Sequence, residues 1–219
     1  MTIAVLGTGR MGTALARAFL RAGHQVILAS RDPDRARSRT ASEARGAAAT
    51  TPAEAVSRAD AAVLAVLWED VPEMLAAAGD FAGKVLIDAT NPEATEGRAL
   101  VVGHTTSGAE EVARLATGAR VVKAFNHVYA EILDRGPAFG GERATAFLCG
   151  DDESARRIVS AIAAGCGFSP VDAGGLESAR YLEPAAMLMV ELVRGRGEGA
   201  GSVALHLLAR AGENGVGGS

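Results

Sequence analysis

The chain opens with a short apolar run that leads directly into a glycine-rich loop, Ile3-Ala4-Val5-Leu6-Gly7-Thr8-Gly9-Arg10-Met11-Gly12. The loop has the spacing G-x-G-x-x-G and stands between a predicted strand and a predicted helix, the context that the pattern requires. Gly7 permits a tight turn, Gly9 lets the backbone approach a pyrophosphate, and Gly12 lets the helix pack closely on the strand. The helix start adds unpaired N–H groups that attract phosphate. We therefore predict that residues 7–12, the phosphate loop, bind a dinucleotide; the alternative is a glycine turn in an unrelated α/β protein.

Apolar runs alternate with amphipathic stretches beyond this loop, a pattern typical of a parallel sheet covered by helices on both faces. The predicted strands are Ile3–Leu6, Gln25–Ala29, Ala61–Val66, Val85–Asp88, Arg120–Ala124, Ala144–Leu148 and Ser169–Asp172. The predicted helices are Met11–Arg21, Asp32–Arg45, Glu69–Ala78, Ser107–Thr117, Asp152–Ala164 and Ser178–Arg194. The sequence thus indicates the α/β class with a mainly parallel sheet.

The character of the chain changes at Leu176. The long apolar helix there is followed by a glycine-dense segment, residues 195–201, which requires a loop or a close approach of two backbones. We expect a last short helix over Ser202–Ala211 and a disordered tail from Gly212 to Ser219. This division predicts a nucleotide-binding domain over residues 1–175 and a small helical C-terminal segment over residues 176–219 that completes a cleft, both within one compact unit.

The residues at the end of the second predicted strand indicate which dinucleotide binds. An NAD site carries Asp or Glu there to accept hydrogen bonds from the ribose hydroxyls, whereas this chain has Ser30 followed by Arg31. A guanidinium suits a 2′-phosphate, and Arg35, one helical turn further, can join it. We therefore predict NADP(H) rather than NAD. The alternative is that both arginines are ordinary solvated residues at a helix start.

Residues that follow the other predicted strands should line the same edge of the sheet, because ligands bind beyond the carboxyl ends of parallel strands. Leu67-Trp68 follows one strand, and Trp68 either borders the cofactor or caps the core. Asn91-Pro92 follows the next, in a turn that would place the amide toward a nicotinamide. Asn126-His127 follows a third strand; His127 is either a hydrogen-bond donor or acid toward the ligand, or a surface residue.

Composition narrows the class of partner. The 219 residues include 22 basic and 26 acidic side chains, a formal net charge of −4, and 4% aromatics. This composition disfavours nucleic acid, since phosphate backbones require clustered positive charge. The apolar runs are far shorter than the ~20 residues of a membrane span, and the start lacks the basic segment of a signal peptide. We therefore expect a cytoplasmic protein with a small-molecule partner and no membrane contact.

No catalytic or metal-binding constellation stands out. The histidines lack metal-ligand spacing to acids or cysteines, so we predict no metal site. Cys149 and Cys166 are too far apart for a redox pair and are interpreted as thiols of the core. Asp151-Asp152-Glu153 precedes a predicted helix, where acids favour the helix dipole, so it is interpreted as an N-cap rather than as catalytic carboxylates.

Several segments together resemble the coenzyme F420-dependent NADP oxidoreductases. They are the phosphate loop, Ser30-Arg31, Trp68-Glu69, Cys149-Gly150-Asp151-Asp152-Glu153-Ser154, and Val171-Asp172-Ala173-Gly174-Gly175-Leu176-Glu177-Ser178-Ala179-Arg180 running into Leu182-Glu183-Pro184. The resemblance covers nearly the whole chain. Lys123-Ala124-Phe125-Asn126 is similar to bacterial relatives and to the NADPH-binding domain of membrane ferric reductases.

The resemblance implies a Rossmann-type domain with a small helical C-terminal part that forms the far wall of a cleft. NADP would be held by Thr8 to Met11, Ser30, Arg31 and Arg35, with Trp68 beside it. The substrate side would comprise Asn126, His127, Gly174, Gly175 and Leu176. Hydride would pass directly between nicotinamide C4 and deazaflavin C5, a step that needs two facing rings and a dry cleft more than an acid or base. No residue is therefore assigned a catalytic role.

Three functions follow from these observations. The leading hypothesis is a reductase that exchanges hydride between NADPH and coenzyme F420. The second is an NADPH-dependent reductase of another acceptor, such as a flavin, an imine or a small carbonyl compound. The third is a non-catalytic NADP-sensing protein. We also expect a homodimer, because the apolar helix Ser178–Arg194 exceeds what a short C-terminal segment can cover.

Overall fold

A computed structural model describes residues 1–94, 99–197 and 199–209. Its strands are β1 (Thr2–Leu6), β2 (Gln25–Ala29), β3 (Ala48–Thr50), β4 (Ala61–Leu64), β5 (Val85–Asp88), β6 (Arg120–Ala124), β7 (Ala138–Phe139), β8 (Glu142–Arg143), β9 (Thr145–Cys149) and β10 (Ser169–Asp172). Its helices are α1 (Arg10–Arg21), α2 (Pro33–Ser42), α3 (Pro52–Arg58), α4 (Val71–Ala78), α5 (Gly108–Leu115), α6 (Ala130–Arg135), α7 (Glu153–Gly165) and α8 (Ala179–Arg196). Single 3₁₀ turns cover Trp68–Asp70, Leu176–Ser178 and Ala200–Ser202.

One sheet of eight strands organises the molecule, in the order β10-β9-β6-β5-β4-β1-β2-β3. The strands from β3 to β6 in this order are parallel. β9 runs antiparallel to β6, with Lys123 opposite Cys149, and β10 is parallel to β9. The predicted α/β class with a mainly parallel, Rossmann-type sheet is confirmed. The strand order reverses between β1 and β4, which is where open α/β sheets form ligand-binding crevices.

Alternate residues of each central strand enter two different cores. Ile3 and Val5 of β1 pack into one core with residues of α1, α6 and α7. Ala4 and Leu6 pack into a second core with residues of α3, α4 and α5. Both faces of the sheet are therefore covered by helices, which explains why its strands are uninterrupted apolar runs rather than alternating ones.

Acidic and hydroxyl side chains start several of the helices. The Asp32 carboxylate accepts hydrogen bonds from the amides of Asp34 and Arg35, and so fixes the first turn of α2. Asp152 caps α7 by accepting from the amide of Ala155 at 2.7 Å. Such caps satisfy amides that have no partner within the helix. The interpretation of Asp152 as an N-cap is confirmed.

Two regular segments between predicted elements were not expected. β3 and α3 lie between the second and third predicted strands, and α6 with the β7–β8 hairpin lies after β6. The start of α3 carries a recognisable signal: Thr51 precedes a proline, and its hydroxyl accepts from the amide of Glu54, as in a capping box. In the sheet, β2 and β4 lie on opposite sides of β1. β3 and α3 form the connection that carries the chain from β2 back past β1 to β4.

The predicted helix Ser202–Ala211 is wrong over the part that the structure describes. After Ala200–Ser202 the chain is extended, and the Leu205 carbonyl accepts from the amide of Thr145 at 2.8 Å. The Leu207 amide donates to the Thr145 hydroxyl at 2.9 Å. This pairing with β9 prevails because a short isolated helix is only marginally stable. The tail Gly212–Ser219 lies outside the described residues.

In the glycine-dense segment, the backbone of Gly201 approaches a side chain of α6 closely, rather than a second backbone. A Cβ atom added to Gly201 would lie 2.8 Å from Cβ of Glu131 in α6, so only glycine fits. α8 itself runs to Arg196, two residues past its predicted end. Within the described residues, no helix combines the length and the apolar character needed to cross a membrane.

Candidate functional site

Two cavities adjoin at the carboxyl edge of the parallel strands. The first, about 460 Å³, is lined by the phosphate loop and by residues that follow β2, β4 and β5. The second, about 320 Å³, is lined by residues that follow β5 and β6 and by the inner face of α8. Arg10, Met11 and Ala89 line both cavities. The two cavities therefore form one cleft with a shared wall at its centre.

The phosphate loop shapes the floor of the first cavity. Gly7 has φ +128°, and a Cβ atom there would lie 2.2 Å from the Ala65 carbonyl oxygen. A Cβ atom on Gly12 would lie 2.1 Å from the Gly7 carbonyl oxygen, whereas one on Gly9 would meet no atom within 4 Å. Gly7 and Gly12 are thus required by the fold, while Gly9 leaves the backbone open toward the cavity. The first bond of α1 runs from the Thr13 amide to the Gly9 carbonyl, which leaves the preceding amides available to an anion.

The end of β2 forms one side wall of the first cavity. Ser30 is buried, and its hydroxyl oxygen accepts from the amide of Asp32 at 3.2 Å. Arg31 is ion-paired with Asp70 and Glu73. The structure brings Ser30, Arg31 and Arg35 together on this wall. A guanidinium-rich wall beside free helix amides can hold two separate phosphate groups.

Leu67 and Trp68 follow β4 but occupy different positions. Leu67 is 67% exposed and lines the first cavity. Trp68 is half-buried and packs against the core beneath α4. It also lines a third cavity of about 210 Å³, together with Asn91 and Glu93. The structure therefore gives Trp68 a core contact and places it beside the smaller cavity, next to the first one.

Asn91 and Asn126 bind each other at the centre of the cleft. Asn91 Nδ2 donates to the Asn126 carbonyl at 2.8 Å, and Asn126 Nδ2 donates to Asn91 Oδ1 at 3.0 Å. Asn126 Nδ2 also contacts the Leu182 carbonyl of α8 at 3.1 Å. Phe125, with φ +63°, makes the unusual turn that directs Asn126 here. The pair joins the ends of β5 and β6 to α8 and lines the second cavity.

His127 lies beneath the second cavity rather than on the surface, so its interpretation as a surface residue is wrong. The side chain is buried, and Nε2 lies 3.1 Å from the Thr145 carbonyl oxygen. Burial lowers the pKa of this imidazole, and the hydrogen bond to Thr145 opposes that shift only in part. A neutral imidazole is a weak proton donor near neutral pH.

Pro92, Gly174, Gly175 and Leu176 do not line the two large cavities. Pro92 is buried against the start of α5, where a Cβ atom on Gly108 would lie 3.0 Å from Pro92 Cδ. The Gly174 carbonyl accepts from the amide of Gly150, and the Leu176 amide donates to Asp151. β9 and β10 run in the direction opposite to β6. Their carboxyl ends therefore lie at the sheet edge away from the phosphate loop. The sequence does not reveal this reversal of strand direction.

Three polar side chains at the second cavity were missed by sequence reasoning. Glu93 and Glu131 line it, and Glu131 is ion-paired with Arg10. Tyr129 also lines it, and its hydroxyl is buried without a hydrogen-bond partner among the described residues. Burial raises the pKa of Tyr129, and Glu93 raises it further. Tyr129 therefore keeps its proton at neutral pH. In the sequence, the one signal that Tyr129 belongs to the site is its position directly after the turn that ends β6.

A buried cluster of charges lies behind the Asn91–Asn126 pair. Lys123 Nζ is 2.7 Å from Asp88 Oδ2 and 2.8 Å from Glu183 Oε1, and all three side chains are at most 1% exposed. The ammonium also donates to the Thr90 carbonyl at 2.8 Å. Burial alone would lower the pKa of Lys123, but Asp88 and Glu183 outweigh it and raise the pKa.

Glu183 extends this cluster to α5. Its two carboxylate oxygens accept from the amides of Gly108 and Ala109, at 2.9 Å and 3.0 Å, in the first turn of α5. Charge-assisted bonds to a helix start are strong because the helix dipole adds to them. The cluster therefore ties β5, β6, α5 and α8 together. Lys123 and Asp88 stand within apolar strands. A charged residue inside a buried strand was the signal from which the sequence could have predicted this cluster.

The cysteines offer no nucleophile at this site. Burial raises the pKa of Cys149 to about 12 and that of Cys166 to about 11. Both are free thiols, Cys149 buried and Cys166 half-buried. A thiol with so high a pKa is protonated at neutral pH and is a poor nucleophile. Their interpretation as thiols of the core is confirmed.

Comparison with known proteins gives the family. A family model described as NADP oxidoreductase, coenzyme F420-dependent, matches residues 2–92. The F420-dependent NADP reductase of Methanothermobacter marburgensis is 34% identical over 212 residues, which cover 88% of this chain and 92% of that protein. The chain belongs to this family. A solved structure from Arthrobacter sp. FB24, named as a candidate F420-dependent NADP reductase, has a TM-score of 0.82 and 30% identity, with 90% of this chain and 96% of that chain covered.

The chain also matches longer proteins that are named metalloreductases. Metalloreductase STEAP3 of Rattus norvegicus is 35% identical over 181 residues, which cover 83% of this chain but 35% of that protein. The chain thus spans about a third of the length of the metalloreductases that it matches. The family resemblance seen in the sequence is confirmed.

Proposed function

We propose that the protein transfers hydride between NADP(H) and coenzyme F420. The observation that supports this most is the shared wall of Arg10, Met11 and Ala89 between the two cavities. A ring at the inner end of each cavity would meet the other ring at this wall. Hydride transfer between two aromatic carriers requires just such a face-to-face contact, with water excluded.

The first cavity suits NADP. The open backbone at Gly9 and the unpaired amides at the start of α1 would receive the pyrophosphate, and Gly7 and Gly12 keep the loop in its turn. Ser30, Arg31 and Arg35 would receive the 2′-phosphate. Leu67 would lie along the cofactor, with Trp68 and Asn91 behind it. When bound, NADPH supplies the hydride, while these residues fix its position.

The second cavity suits a flat aromatic acceptor. Met11, Val128, Ala186 and Met189 give it an apolar wall, and Asn126 borders it. An apolar wall excludes water, so hydride is not lost to side reactions. His127, neutral and buried, would support this wall rather than donate a proton. We propose that α8, from the C-terminal part of the chain, supplies the outer side of the cleft.

The test is an activity assay with purified protein, NADPH and F420, followed by the absorbance of F420. We expect NADPH-dependent loss of the F420 signal and much slower turnover with NADH. The matched variants are Met189→Lys, which places a charge on the apolar wall, and Glu191→Lys, on the exposed side of the same helix and outside its apolar stripe. Met189→Lys should abolish turnover with F420 but keep NADPH binding, and Glu191→Lys should retain both. Wild-type protein that binds NADPH without F420 turnover would contradict the proposal.

A second acceptor class has its own support. The similarity to metalloreductases and the charge of Glu93 in the lining of the second cavity, which no ion pair within the described residues offsets, favour an acceptor other than the anionic F420. A free flavin, tested beside F420 in the same assay, distinguishes the two. Imines and small carbonyl compounds complete the acceptor panel. Tight NADPH binding with no turnover of any acceptor would favour a non-catalytic NADP sensor.

We further propose that the protein is a cytoplasmic homodimer. On α8, Tyr181, Leu188 and Leu192 are exposed at helical spacing and form an apolar stripe that the described residues leave uncovered. Such stripes are commonly covered by another subunit. Two free thiols fit a reducing compartment. Light scattering should give a dimer mass at micromolar concentration, and Leu188→Lys should shift it to the monomer.

A further inference from the structure

The contacts of Arg31 point to two residues that control how tightly a 2′-phosphate binds. Arg31 follows β2 and lines the first cavity, yet its guanidinium is ion-paired with both Asp70 and Glu73. Arg35 lines the same wall and makes no ion pair within the described residues. Of the two arginines, one is therefore available to a ligand and the other is already engaged by acids of the chain.

The two acids reach Arg31 from the opposite side of the cavity. Asp70 ends the 3₁₀ turn after β4, and Glu73 lies in the first turn of α4. β4 and β2 flank β1 on its two sides, so the ion pairs cross the carboxyl end of β1. A carboxylate presents to a guanidinium the same kind of charged oxygens that a phosphate presents. The acids thus occupy the donors that a 2′-phosphate needs.

We propose that Asp70 and Glu73 are specificity-determining residues that compete with the 2′-phosphate of NADP for Arg31. This inference rests on the proposed function, because it assumes that the first cavity holds NADP. An entering phosphate displaces the carboxylates and remains close to their negative charge, which weakens its binding. NAD carries a hydroxyl at that position and meets no such competition. The two acids therefore reduce the preference for NADP over NAD that the arginines create.

Competition has a second consequence, in the response to salt. In the wild-type chain, phosphate binding exchanges one set of ion pairs for another, so the net number of ion pairs changes little. Without the carboxylates, phosphate binding forms new ion pairs, which added salt screens. NADPH affinity should therefore fall more steeply with ionic strength in variants that lack the acids than in the wild-type chain.

The test is a binding titration of NADPH and NADH, followed by the fluorescence of Trp68, the single tryptophan. It compares the wild-type chain with Asp70→Asn, Glu73→Gln and the double variant, all close in shape to the original residues. We expect NADPH to bind about twofold to fivefold more tightly in each single variant, within the range for one exposed ion pair, and NADH to be unchanged. The control is Asp34→Asn, which removes an equal charge nearby but is paired with Arg37 instead.

The outcomes separate competition from other roles. NADPH binding that tightens no more than in Asp34→Asn would overturn the inference. Weaker binding of both cofactors would also overturn the inference. It would mean that the ion pairs of Arg31 with Asp70 and Glu73 remain in place over the bound cofactor and help to retain it. The proposed function is judged separately, by whether the wild-type chain binds NADPH and passes hydride to an acceptor. The inference is judged only by the ratio of variant to wild-type affinities and by their salt dependence.

Discussion

At the scale of single residues, the Tyr129 hydroxyl has an unusual environment. It is buried and has no hydrogen-bond partner within the described residues, and a buried polar group of this kind destabilises a folded protein. Tyr129→Phe removes only that hydroxyl. We expect it to raise the free energy of unfolding by about 1 kcal/mol, measured by urea denaturation.

Tyr181→Phe is the matched control, because Tyr181 is 77% exposed on the single chain and its hydroxyl is not buried within the fold. This change should leave the free energy of unfolding within about 0.5 kcal/mol of wild type. A loss of stability in Tyr129→Phe would mean that the hydroxyl has a hydrogen-bond partner in solution. That result would contradict the description of this hydroxyl as buried and unpaired.

His127 makes stability depend on pH in a defined range. An unfolded chain binds a proton at this imidazole with the ordinary pKa of 6.5, whereas burial lowers the pKa in the folded chain. Between the two values the unfolded chain binds more protons, so acid favours unfolding. Stability should be complete above pH 6.5 and fall as pH decreases below it, by at most about 1.4 kcal/mol per pH unit. Denaturation midpoints across this pH range measure the effect.

The comparison for this pH effect is between two histidine variants. His127→Gln should reduce the dependence below pH 6.5, since glutamine does not titrate, and the lowered pKa of His24 accounts for what remains. His104 is exposed and has φ +63°, a conformation that asparagine tolerates, so His104→Asn should leave the dependence as in wild type. Identical pH curves for wild type and His127→Gln would contradict the assigned burial effect.

Sequence reasoning could predict those residues of the candidate site that have a local pattern. The phosphate loop and Ser30, Arg31 and Arg35 were found because spacing and strand ends determine where such residues lie. The Lys123–Asp88–Glu183 cluster was missed because its members come from three distant segments. The buried position of His127 likewise depends on Thr145 and other residues distant in sequence.

At the scale of elements, Glu183 determines how α8 attaches to the sheet. Its carboxylate binds Lys123 and two amides of α5 in a fully buried position. Glu183→Gln leaves the ammonium with one carboxylate fewer and weakens both amide bonds. We expect a loss of about 3 kcal/mol in the free energy of unfolding, typical of a broken buried ion pair. Urea denaturation monitored by circular dichroism measures it.

Glu191→Gln is the control within the same helix. Glu191 is exposed and ion-paired with Arg194 three residues away, and exposed pairs contribute at most about 1 kcal/mol. Equal losses in the two variants would show that the buried cluster does not hold α8.

Most elements could be predicted, because parallel strands buried on both faces give continuous apolar runs and their helices carry caps. The direction of β9 could not be predicted, since an antiparallel strand at that position has the same apolar character as a parallel one. This direction moved Gly174, Gly175 and Leu176 away from the cleft. The extended segment after Ser202 could not be predicted either, because it is stabilised by pairing with Thr145, a residue far away in sequence.

At the scale of the whole molecule, the proposed hydride transfer requires two rings that meet at the wall shared by the two cavities. The phosphate loop fixes one end of the first cavity, and the charge cluster holds α8 over the second. Neither cavity requires a general acid if hydride passes directly from ring to ring. Direct passage has a specific consequence, because the transferred hydrogen never exchanges with water.

The most direct measurement uses NADPH carrying deuterium at C4 on one face of the nicotinamide and F420 as the acceptor, in ordinary water. Mass spectrometry of the reduced F420 then shows where the label goes. Direct transfer predicts that deuterium from one face alone appears at C5 of the product, without loss to solvent. Reduced F420 that lacks the label, or that receives it equally from both faces, would contradict direct transfer within a single cleft.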